Sequence, residues 1–437
     1  MITSRSTTLS NGLRVVAVEM PHLHSAEIAV YLKVGGRNDS RSTAGLAHFL
    51  EHMLFRGTSE HPTSLELETA FEALGGNVNA ATDEESTCYY TRIHPRHVAE
   101  GFRLFSSMLL RPALAGLEVE KRIITEEALE DINERGEEIN PHNLASRLLW
   151  PDQPLGMPTI GYLDTIAGFT VNDLRNHLAR YYVPSNAVAV AAGAIEADRV
   201  FAACATAFGD WQGAPAPGAE PATGGQKSAA TLFVRDSDSQ VHLQLAFRGF
   251  ARQDRRIMPT RLLRRILCGG GSSRLHLALR EELGIVYAVD ASISAYEETG
   301  SFAIELSTAQ ENLPLAVARV LEETGRLARE PVPAQELERV RQGYFFDLEY
   351  SRDSTYEMQV RYGWGELMGM VRDTEEDRAE AASIDAATVQ STAAVLFAPE
   401  NLNLVAVGPW RADMKRQVEK LVKAYARDFP CALSCRC

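Results

Sequence analysis

One order of elements runs twice along the 437 residues. In the first half, LRVVAVEM (13–20) and AEIAVYLKVG (26–35) show the period-two alternation of strands, and Asn11-Gly12 ahead of them is a turn signal. A helix follows over 44–55. SLELETAFEALGG (64–76) predicts a second helix, started by Ser64 and stopped by Gly75 and Gly76. NVNAATDEESTCYYTRI (77–93) reads as a strand or hairpin. HVAEGFRLFSSMLLRP has apolar residues at helical spacing and stops at Pro112, and LEVEKRIITEEALEDINERG (117–136) is a further helix ended by Gly136.

The second half repeats this order. SQVHLQLAFRGF is a strand, and PTRLLRRILCGGG is a helix stopped by glycines. LHLALREELGIVYAV carries a helix into a strand, and TGSFAIELST is the next strand. LPLAVARVLEETGRLARE and PAQELERVRQGYFFDLEYSRD close the series as two helices. Short strings agree as well: EALGG at 72–76 with EELGI at 281–285, and LEVEKR at 117–122 with QELERV at 335–340. A chain of this length exceeds one compact core, so the expectation is α+β, a duplicated unit. WQGAPAPGAEPATGGQKSAA (211–230), rich in Pro, Gly and Ala, reads as a semi-extended linker between domains at 1–210 and 231–437.

Composition narrows the function classes. With 45% apolar and 23% charged residues the chain is globular, and a formal charge of −14 argues against a nucleic-acid backbone as partner. The N-terminal stretch has no apolar signal region and no apolar run approaches a membrane span, so the expected location is cytoplasmic, without membrane contact. Cys88, Cys204 and Cys268 stand in apolar surroundings and read as core packing. Cys431, Cys435 and Cys437 have a spacing open to a soft metal or a disulfide, but without a second ligand cluster they read as a short tail. GGGSS (269–273) reads as a helix stop, since no Lys-Ser/Thr completes a phosphate loop.

The chemistry is concentrated in HFLEHML (48–54). On a helix, His48 and His52 project from one face, one turn apart, so both imidazoles can reach one metal ion. Glu51 borders that face, within reach of a metal-bound water. Two histidines and a glutamate in an apolar helix are costly to bury without a partner. Catalytic zinc has three protein ligands and an open position, so a third ligand must come from elsewhere. Two imidazoles and a carboxylate would also accept manganese or cobalt.

The H-x-x-E-H order defines the inverzincins. HFLEHMLFRGT (48–58), LGGNVNAATDEESTCYY (74–90) and EKRIITEEALED (120–131) resemble the signatures of the pitrilysin-type (M16) metallopeptidases, and the resemblance extends over nearly the whole chain. It implies two homologous α/β-sandwich domains, each a mixed sheet covered by helices, the second a degenerate copy whose corresponding helix reads RLLRRILC. It implies Zn2+ held by His48, His52 and a glutamate about 75 residues beyond. Glu127 fits, with Glu120 as orienter of a histidine on the same helix face; Glu126 is the alternative ligand. Glu51 is the implied base, Asn79 and Ala80 the implied substrate-pairing positions, and Arg280 and Tyr287 the groups for a substrate carbonyl and the oxyanion.

In the half-size members, the zinc domain of one subunit faces the second domain of another. That implies a clamshell-like dimer, either a homodimer or a heterodimer with an inactive homologue, with Arg280 and Tyr287 acting in trans. The expected activity is a zinc endopeptidase acting on small or unfolded peptides in a chamber. The alternatives are a non-catalytic partner subunit, or a maturation protease for one dedicated precursor.

Overall fold

The computed structural model describes residues 2–429. The tail cysteines Cys431, Cys435 and Cys437 lie outside the described residues. The chain forms two compact units, and neither is continuous in sequence: residues 2–129, 157–220 and 347–374 make the first, and 130–156, 221–346 and 375–429 the second.

The first unit is built on six strands: β1 (Thr3–Thr8), β2 (Arg14–Glu19), β3 (Ala26–Leu32), β4 (Val78–Thr82), β5 (Thr87–Ile93) and β6 (Ala187–Gly193). Their order is β1-β2-β6-β3-β5-β4, with β2 and β6 parallel and the other pairs antiparallel. Strands β3 and β6 are buried along their whole length. That explains why AEIAVYL reads as a nearly continuous apolar run, since both faces of the strand meet packing. On one face Ile28 and Val30 join Phe49, Leu50 and Met53 of α1 (Leu46–Leu54) and Phe102 and Phe105 of α3 (Val98–Leu110), with Phe71 of α2 (Ser64–Glu72). On the other face Ala29, Tyr31, Val188 and Val190 pack against Met358, Leu367 and Met368. Here a π-helical stretch, Val360–Trp364, approaches so closely that a Cβ on Gly363 would lie 2.6 Å from a Val190 methyl.

The second unit has five strands: β7 (Ala230–Arg235), β8 (Val241–Gly249), β9 (Val286–Ala295), β10 (Gly300–Thr308) and β11 (Leu402–Gly408), in the order β7-β11-β8-β10-β9. Again one pair, β7 with β11, is parallel and the rest antiparallel. The two sheets therefore share one topology, β2-β6-β3-β5-β4 matching β7-β11-β8-β10-β9, and β1 is an addition to the first. The duplication read from the sequence holds at the level of strand pairing. Helix Ile257–Cys268 follows β8 as α1 follows β3, and presents Arg261, Arg264 and Arg265 instead of histidines. Leu144, Leu149 and Trp150 cover Ala246, Val405 and Val407 of this sheet.

Two details differ from the sequence reading. The helix expected over 117–136 is shorter: α4 spans Leu117–Leu129. Beyond it the chain turns, with Gly136 at φ 74° donating its N–H to the Asn133 carbonyl, and Ile132 bridging Glu138. Asp131 accepts the side-chain amides of Asn140 and Asn143, so the polar groups that looked like a last helical turn hold a loop instead. Glu130 and Glu134 thus lie off the helix. The compact units also do not follow the division at 211–230. Residues 130–156 pack with the second unit, 347–374 with the first, and Trp211 is buried in the first unit with its indole N–H on the Tyr182 carbonyl. Cys88, Cys204 and Cys268 are buried free thiols, as read from the sequence. No helix among the described residues is long and apolar enough to cross a membrane.

Candidate metal centre

Helix α1 carries the site, and its start is fixed by backbone contacts. Gly45 sits at φ 92°, and a Cβ there would lie 2.3 Å from the Ile160 carbonyl oxygen. Two residues on, the buried Asp39 carboxylate accepts the Ala47 N–H at 3.2 Å, standing in for a helix cap. Burial pushes Asp39 up to about 7, against the hydrogen bonds from Ala47, Gly45 and Leu46. With the start fixed, Phe49, Leu50, Met53 and Leu54 face the core, and His48 and His52 lie on the remaining face with ring centroids 4.6 Å apart.

Helix α4 supplies the carboxylates. Glu127 Oε1 lies 3.7 Å from His48 Nε2, and its Oε2 lies 3.6 Å from His52 Nε2. One ligand atom from each of the three residues can be chosen so that all lie within 4.8 Å of one another. Atoms about 2.1 Å from a shared tetrahedral ion are separated by about 3.4 Å, so the spacing fits a zinc-sized cation. Glu126, the alternative ligand, is exposed and does not belong to this group. Glu120, buried two turns earlier on the same face of α4, accepts the His52 Nδ1–H at 2.9 Å and pairs through its other oxygen with Arg56 at 2.5 Å. That hydrogen bond places the proton on Nδ1 and leaves the Nε2 lone pair facing Glu127.

The electrostatics suit a cation. Burial, aided by His52, lowers His48 to about 3, so its imidazole is neutral. For His52 burial works downward, but the Glu120 hydrogen bond with Glu51 and Glu127 outweighs it and the net direction is up. Glu51 is 8% exposed, and burial raises its pKa, against a hydrogen bond from the Thr82 hydroxyl at 2.5 Å and the charge of His52.

Asn79 and Ala80 lie on β4, which among the described residues pairs only with β5 and so forms the sheet edge. Arg280 and Tyr287 belong to the second unit, where the guanidinium stands over the tyrosine ring at 5.6 Å and the ring is 86% exposed. Two contributors were not singled out from the sequence. Arg56 lies four residues after His52, a spacing that hinted at a shared face. Thr82 lies within the quoted NVNAATDEE stretch, two residues beyond Ala80, but nothing in the sequence marks its hydroxyl as a partner of Glu51.

Comparisons with known proteins bear on the family of the chain and on its fold. The family model described as insulinase (peptidase family M16) matches residues 14–161, and that of the peptidase M16 inactive domain matches 168–344. The uncharacterized zinc protease YmxG of Bacillus subtilis is 30% identical over 92% of this chain and 97% of its own. In fold, the chain is similar to a protease from Helicobacter pylori, with a TM-score of 0.86 at 19% identity, covering 94% of this chain and 100% of that one. A peptidase M16 inactive domain from Pseudomonas fluorescens gives a TM-score of 0.84 at 20% identity, over 94% and 99% of the two chains. A histidine-carboxylate cluster on the first copy, arginines at the matching helix of the second, and matches to both halves in order lead to one conclusion: the chain belongs to the M16 peptidase family.

Proposed function

We propose that the protein is a zinc-dependent endopeptidase that hydrolyses small or unfolded peptides. The observation that carries this reading is the convergence of His48, His52 and Glu127 beside the buried Glu51 carboxylate. His48, His52 and Glu127 would hold the ion, which supplies a water of lowered pKa and a Lewis acid for the scissile carbonyl. Glu51 acts as general base: its carboxylate accepts a proton from the attacking water and passes it to the leaving amine nitrogen. Glu120 keeps the His52 ring turned toward the ion.

The substrate lies along the β4 edge and gains main-chain hydrogen bonds near Asn79 and Ala80, which makes sequence demand loose and requires an extended peptide. Arg280 holds a substrate carbonyl and Tyr287 donates to the oxyanion, either within the chain or from a partner chain in a homodimer or a heterodimer with an inactive homologue. A second reading, a non-catalytic partner subunit, draws support from the match of residues 168–344 to a domain described as inactive.

The test compares wild type with Glu51→Gln on a mixed pool of unstructured peptides, read by mass spectrometry. Products from wild type alone support the peptidase and map its cleavage preference. Equal products from both mean another protease is present, and products from neither favour the partner-subunit reading.

A further inference from the structure

The Glu51 carboxylate is held by a residue of the sheet edge. Thr82 is the last residue of β4, and its hydroxyl meets Glu51 Oε2 at 2.5 Å. An ionised carboxylate can only accept, so the hydroxyl donates. The cross-strand neighbour of Thr82 is Thr87, whose own hydroxyl donates to the Val34 carbonyl at 2.9 Å, with the two threonine oxygens 3.4 Å apart. Thr87 thus directs its proton away, and the Thr82 proton goes to Glu51. The strand end is itself anchored: the Asp83 carbonyl accepts the Gly36 N–H, the Glu84 carbonyl accepts the Arg37 N–H, and the Arg37 guanidinium forms a buried pair with Glu85.

From this geometry we infer that Thr82 is a positioning residue that couples the sheet edge to the general base. This rests on the peptidase reading, in which β4 is the strand that receives the peptide. A peptide paired along β4 stiffens the strand that carries the hydroxyl, and the hydroxyl fixes the rotamer of the carboxylate that must meet the attacking water. Productive alignment then follows substrate occupancy, through the hydroxyl's bond to Glu51.

The experiment uses the full chain loaded with zinc and two variants. Thr82→Val keeps the shape and removes the donor; Thr82→Ser keeps the donor. For a peptide cleaved by wild type and not by Glu51→Gln, the expected result for Thr82→Val is a kcat lower by on the order of tenfold to a hundredfold, the range for a misplaced reacting group. KM, zinc content and the thermal midpoint stay at wild-type values, and Thr82→Ser recovers most of the rate. An undiminished kcat in Thr82→Val overturns the inference. So does a Thr82→Ser as slow as the valine variant, which indicates a structural role. A readout independent of turnover is the crystal structure of zinc-loaded Thr82→Val. The Glu51 carboxylate is expected to shift by more than about 0.5 Å from its wild-type position, the tolerance of a working site. A superimposable carboxylate overturns the inference even if no peptide is cleaved, whereas an inactive wild type with a shifted carboxylate counts against the peptidase reading alone.

Discussion

Glu120 binds two partners at once, the His52 Nδ1–H and the Arg56 guanidinium, while almost wholly buried. Replacing it with Gln keeps the volume but removes the charge that orients the ring and raises its basicity. Zinc affinity of Glu120→Gln is expected to fall by about 10-fold to 100-fold, measured by competition with a chelating dye. Glu27 offers a contrast away from the site. It lies buried in β3, and burial pushes it up to about 7, against the Thr355 hydroxyl at 3.4 Å and the charge of Arg92. A carboxyl whose folded pKa exceeds its unfolded value binds its proton more tightly when folded. Its contribution is therefore fully present below the unfolded pKa and is lost as pH rises through about 7. Glu27→Gln should gain stability relative to wild type at pH 8 and much less at pH 5, read as the shift in urea midpoint at the two pH values.

At the scale of the element, the entry to α1 decides whether the histidines are presented at all. Gly45→Ala forces a Cβ onto the Ile160 carbonyl at a left-handed φ. A loss of at least about 2 kcal/mol is expected, with zinc content falling alongside, checked by urea denaturation and metal analysis. This element was legible because its signal is local: His48, Glu51 and His52 share one helical period, and the apolar positions alternate around them. Helix α2 was legible for a similar reason, although the cap that starts it is Thr63, in a reciprocal pair with Glu66, and not Ser64. The end of α4 was not legible. EDINERG has helical composition, and only the distant amides of Asn140 and Asn143 on Asp131 draw it into a loop. Glu51's tie to Thr82 was hidden too, because a hydrogen bond between residues 31 apart leaves no periodic trace.

On the scale of the whole molecule, the two copies exchange segments. Residues following α4 cover the sheet of the second unit, and residues at the end of the equivalent helix in the second half, 347–374, cover the sheet of the first. The sequence hid this because an apolar segment gives no sign of which sheet it covers. Residues 1–220 produced alone would bare Val18, Ala29, Tyr31 and Val190 to water. They should aggregate or bind a hydrophobic dye, and addition of 347–374 through a flexible tether should restore a monomeric, cooperatively unfolding species. Size-exclusion chromatography and thermal melts of the two fragments check this.

The exchange also bears on how such a duplicated gene can drift. Ordinarily a copy that has lost its chemistry is free to decay. Here the first copy owes part of its covering to the end of the second, and must find a sheet for its own residues 130–156. A lineage that gave up metal ligands in the second half would still be under selection to keep that half folded, so loss of catalytic residues and loss of architecture become separate evolutionary events.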